Sequence, residues 1–141
     1  MQRIRNCCTT LIFFLLVAMP ITFAHNEKTK VELPQKLKQY VIESMRQKLA
    51  AFDEIMDSLA QDNLHHASQV AEQYLGPSTQ TGTHTVFQSY MPAGMRHLDD
   101  TLAAAATHFS EVAQTGDTIG ALSAFKHVSS SCILCHSAYR F

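Results

Sequence analysis

The chain has 141 residues, 11 Lys and Arg against 12 Asp and Glu, and a formal net charge of −1, enough for one domain of ordinary size. A balance this close to neutral, with no basic stripe, excludes a nucleic-acid binder. The first stretch, "MQRIRNCCTTLIFFLLVAMPITFA", has the layout of a secretory signal peptide. Arg3 and Arg5 form a basic start, Leu11 to Met19 is an unbroken apolar run, and Thr22-Phe23-Ala24 offers small residues for cleavage before His25. The run is about half the roughly 20 residues that a membrane span requires. The expected division is therefore residues 1–24 as signal and 25–141 as one domain in an exported, oxidising compartment.

Four amphipathic segments follow. After Pro34, a tolerated residue at a helix start, Leu37, Val41, Met45, Leu49, Phe52, Met56 and Leu59 recur at spacings of four and three. Asp62 or Asn63 is placed to cap a second helix, whose apolar side is Leu64, Ala67, Val70, Ala71 and Tyr74. Residues 76–90 show no helical period and read as a long connection. A third helix takes Met95, Leu98, Leu102, Ala105, Phe109 and Val112 and stops at Gly116. Asp117 or Thr118 caps a fourth, with Ile119, Leu122, Phe125, Val128 and Cys132 on one side. No strand alternation is evident. The expected fold is all-α, an antiparallel four-helix bundle with short, long and short connections.

The last ten residues, "CILCHSAYRF", carry the chemistry. Cleavage would remove Cys7 and Cys8 and leave Cys132 and Cys135 as the only cysteines. A bridge between them would close too small a loop to act as a staple. Three uses compete. Structural zinc needs four Cys/His ligands, commonly in two pairs, and the second pair is missing. A redox dithiol usually sits at a helix N-terminus after a strand, whereas this pair follows four turns of helical pattern. C-x-x-C-H is also the attachment motif of c-type haem. One helical turn separates the two cysteines, and His136 follows with an imidazole for the iron. Haem c, one per chain, is the reading preferred.

A four-helix pattern ending in this motif resembles the class II cytochromes c, the cytochrome c′ family. The specific likeness lies in Cys132, Cys135, His136, Tyr139 and Arg140, with "MPAGM" and the "GD" turn as weaker echoes. The resemblance implies a bundle often dimeric through its first two helices, and makes Arg140 a candidate for contact with the haem. It also divides the family by the residue facing iron from the first helix. Methionine there implies a six-coordinate electron carrier working with periplasmic redox partner proteins. An apolar residue implies a five-coordinate binder of nitric oxide or carbon monoxide. An ungapped match of the first two helices puts Met45 at that position. Met56 reads as core filler, His65 and His66 as cap or surface residues, and Met91 and Met95 as packing near the haem edge. The family's basic residue one turn before the ligand is replaced by Val41. No carboxylate pair or nucleophile constellation suggests an enzyme, and Ser129 to Ser131 read as a small-residue approach to the haem.

Overall fold

The computed structural model describes residues 27–141; the expected signal peptide lies outside them. A two-residue strand β1 (Thr29–Lys30) is followed by α1 (Gln35–Ala60) and α2 (Leu64–Tyr74). A 3₁₀ turn (Pro77–Thr79) and the short helix α3 (Thr83–Gln88) come next. Two long helices, α4 (Ala93–Gln114) and α5 (Thr118–Ala138), then lead into β2 (Tyr139–Arg140). The four long helices make the expected all-α bundle.

The helix ends form where the sequence placed them, for local reasons. Asn63 Oδ1 accepts the His66 N–H at 3.3 Å, and Asp117 Oδ1 accepts the Gly120 N–H at 2.9 Å. Each satisfies an N–H left without an intrahelical partner. Gly116 stops α4 at φ 82°, a conformation that costs glycine little. The Thr118 hydroxyl donates to Asp62 at 2.7 Å, tying both short connections together at one end of the bundle.

Two expectations need correction. Residues 76–90 are not free of helix, because α3 forms there and buries His84 and Phe87. The buried faces are also rotated from the stripes of large side chains. On α1 the buried residues are Val41, Ala51, Ile55, Ser58 and Leu59, while Met56 is exposed. Met56 is thus no core filler. On α5 the face is Ala121, Ala124, Phe125, Val128 and Ser131, leaving Ile119 and Leu122 outside. Small residues set the α5 face because α4, with Ala103, Ala106, Ser110 and Ala113, packs closely on it, whereas α1 packs chiefly on α2.

The core falls into two apolar clusters. The larger fills the bundle and centres on Phe109, whose ring lies 5.2 Å from that of Phe125, itself 4.7 Å from Phe52. These aromatic contacts join α1, α4 and α5. The smaller cluster sits at the other end, where Val31, Val41, Phe87, Met91 and Met95 pack with Tyr139 and Phe141. There β1 runs parallel to β2, pairing Thr29 with Tyr139 and Lys30 with Arg140.

Candidate haem site

Between the two clusters lies a cavity of about 440 Å³, within the range of small-molecule and cofactor sites. Helix α1 contributes Met45, Leu49 and Phe52, and α4 contributes Met95, Leu98 and Leu102. Helix α5 supplies Cys132, Cys135 and His136 from its last two turns. Cys132 packs against the larger cluster and Cys135 against the smaller, so the motif spans the gap.

The two thiols are free and half-buried. Burial pushes both thiols up from the ordinary cysteine range, and for Cys135 the Asp99 carboxylate adds to the effect. Lys48 works in the opposite direction without reversing it. Position agrees with this, since the C-terminal end of a helix disfavours a thiolate. Protonated thiols in an apolar wall are the reverse of an activated redox dithiol. Among the described residues, no group of three or more His, Cys, Asp or Glu side chains converges as a metal site. What the wall does offer is two thiols one turn apart, an imidazole, a thioether and apolar surface. That donor set fits a covalently attached haem.

The structure brings Met45, Cys132, Cys135 and His136 to one cavity, together with Met91, Met95, Ser129 and Ser131. Arg140 is placed elsewhere. Its guanidinium donates to the Lys28 carbonyl and to Glu27, each at 3.3 Å, and fastens the N-terminal segment. His65 and His66 are outside the cavity, with His66 Nε2 2.8 Å from Glu54. Val41 is buried under Val31 and Met91 in the smaller cluster, so a cation at that position would lose its water.

Three residues escaped the sequence reading. Lys48 and Asp99 also line the cavity, and His84 stands behind Asp99. A signal was present: Asp99 lies four residues after Met95 and three before Leu102, so a carboxylate interrupts a buried apolar stripe. Burial acts to raise the Asp99 carboxyl, but the hydrogen bond from His84 and the charge of Lys48 outweigh it and hold the group below the usual carboxylate range.

The sequence profile of the family described as Cytochrome C′ matches residues 35–140 of this chain, from the first residue of α1 to the end of β2. No curated protein and no solved structure gives a significant match.

Proposed function

The chain belongs to the cytochrome c′ family of haem c-type cytochromes, and from that premise we propose that it is a periplasmic electron carrier with one covalently attached haem. When bound, the haem supplies a one-electron ferric–ferrous couple. The Cys132 and Cys135 thiols would hold it covalently, and His136 on α5 would supply an imidazole to the iron. Met45 on α1 would supply a thioether, a soft donor that favours the reduced iron. The observation that carries the electron-transfer reading is that Met45, on α1, lines the same cavity as His136, on α5. Phe52 lines the cavity and packs on Phe125, which packs on Phe109, so this wall is backed by the larger cluster.

Residues 1–24 serve as the export signal in this reading, and no helix of the described residues is long and apolar enough to cross a membrane. Exposed Ile42 and Met56 on α1 offer apolar surface for a second copy, in keeping with a dimer through the first two helices. The test is the visible spectrum of the mature protein, made with haem-attachment machinery present. Separate low-spin bands that ignore carbon monoxide support His136 and Met45 as ligands. A broad high-spin spectrum that shifts with carbon monoxide replaces the electron carrier with a gas binder. A colourless protein, beside a control cytochrome that matures, removes the haem reading.

A further inference from the structure

Asp99 puts a carboxylate into the wall of an otherwise apolar cavity. Its Oδ2 lies 3.2 Å from His84 Nε2, and its Oδ1 lies 4.0 Å from Lys48 Nζ. The side chains of Gln80 and Gln88 donate to Oδ2 at 3.2 and 3.5 Å. The His84, Asp99 and Lys48 side chains are only 5%, 12% and 13% exposed, so mobile ions screen them weakly. The other ionisable groups around the carboxylate are Tyr40 on α1 and Cys135 on α5, both of which its charge reaches, while Arg46, Cys132 and His136 line the same cavity. Asp100 shares Gln80 at 3.5 Å on the outer side.

The second ring nitrogen of His84, Nδ1, is buried and has no hydrogen-bond partner. Buried polar atoms are rarely left so, and in this cluster the orphan belongs to the side chain suited to change charge between pH 5 and 8. With Lys48 charged and Asp99 ionised, a neutral imidazole makes the cluster neutral. A protonated imidazole leaves it one positive charge in excess. We propose that the His84–Asp99 pair is a redox-linked proton site. As the ferric protein accepts one electron from a donor protein, the pair gains affinity for one proton from solvent, and on oxidation it releases that proton. The physical reason is repulsion: oxidation adds a positive charge in the cavity, across a low-dielectric wall from the pair.

This inference rests on the cavity being a haem redox site, and its failure can be told from the failure of that reading. The experiment is spectroelectrochemistry of the haem-loaded protein from pH 5 to 8, on wild type, His84→Gln and Asp99→Asn. It is joined by an NMR titration of the His84 ring in both oxidation states of the wild type. The ring is expected to titrate at a proton affinity at least tenfold higher in the ferrous protein. A tenfold difference lowers the midpoint potential by about 59 mV across the transition for a one-electron couple. That fall is expected to vanish in His84→Gln and to weaken in Asp99→Asn. An unchanged pH dependence in His84→Gln would assign the proton to the haem's own carboxyl groups or to His136 and overturn the proposal. So would a ring that titrates at the same pH in both states, a result that needs no variant to fold. A coloured, redox-active protein with a pH-independent potential removes this inference alone.

Discussion

Gly94 and Tyr139 meet where the tail after the haem motif presses on the first turn of α4. A β-carbon built on Gly94 falls 2.6 Å from the Tyr139 hydroxyl oxygen but 3.9 Å from the ring carbon that bears it. The first distance is a clash and the second an ordinary contact. Gly94→Ala must therefore displace a stiff aromatic ring anchored next to β1, an overpacking that typically costs about 1–3 kcal/mol. Against this, alanine gains up to about 1 kcal/mol over glycine inside a helix, and less in a first turn. The net expectation is a loss of about 1–2 kcal/mol, or roughly 4–8 °C in melting temperature for a domain of this size. Removing only the oxygen reverses the sign. In a Tyr139→Phe background, Gly94→Ala is expected to be neutral or to raise the melting temperature slightly. Thermal melts of the four haem-loaded proteins, followed by far-ultraviolet circular dichroism, provide the comparison. If alanine costs the same with and without the hydroxyl, the close approach is not what requires glycine here.

Met45→Leu is expected to convert the ferrous spectrum from low-spin to high-spin and to create carbon monoxide binding, read by absorption difference spectra. Phe109→Ala removes the fully buried ring at the centre of the larger cluster. It should cost about 3–5 kcal/mol in denaturant unfolding. Asp117→Ala deletes the cap that holds the Gly120 N–H, with an expected loss of about 1 kcal/mol. Asp99 is the pH-dependent case. Its carboxyl is held below its unfolded range, so its stabilisation is complete above that range and is lost as pH falls through the lower, folded value. Acid unfolding curves should therefore be steeper below about pH 4 for wild type than for Asp99→Asn, and equal slopes would refute the assignment.

The four long helices were legible because their ends rest on local chemistry. Asn63, Gly116 and Asp117 act within three residues of themselves, and the recurring apolar positions are local too. The short helix α3 was not, since "THTVFQ" has threonines and a valine that favour helix weakly. It forms because the fold buries His84 and Phe87. The rotated faces of α1 and α5 were missed for a related reason. A stripe of large apolar residues catches Met56 and Ile119, whereas close helix packing is decided by Ala51, Ala121 and Ala124. At the site, Cys132, Cys135 and His136 declare themselves by adjacency, and Met45 through its place on α1. Lys48, His84 and Asp99 come from three helices, and only the fold makes them neighbours. Arg140 shows the converse case, because its family-like position does not reveal that Glu27 and Lys28 take up its guanidinium.

The pairing of β1 with β2 bears on the order in which the molecule closes. It joins segments that are 112 residues apart in the chain at the Arg140–Lys28 contact, through a ladder only two residues long. Closing so long a loop in a flexible chain carries a large entropic cost, so the bundle must first bring its ends together. The strap is thus expected to close late in folding and to open early, as a local unfolding unit separate from the helices. Its release frees Tyr139 from Gly94 while Phe109 and its neighbours stay packed. The Val31 N–H, bonded to the Arg140 carbonyl at 2.8 Å, reports that opening by exchanging its hydrogen ahead of the amides in the core of α4.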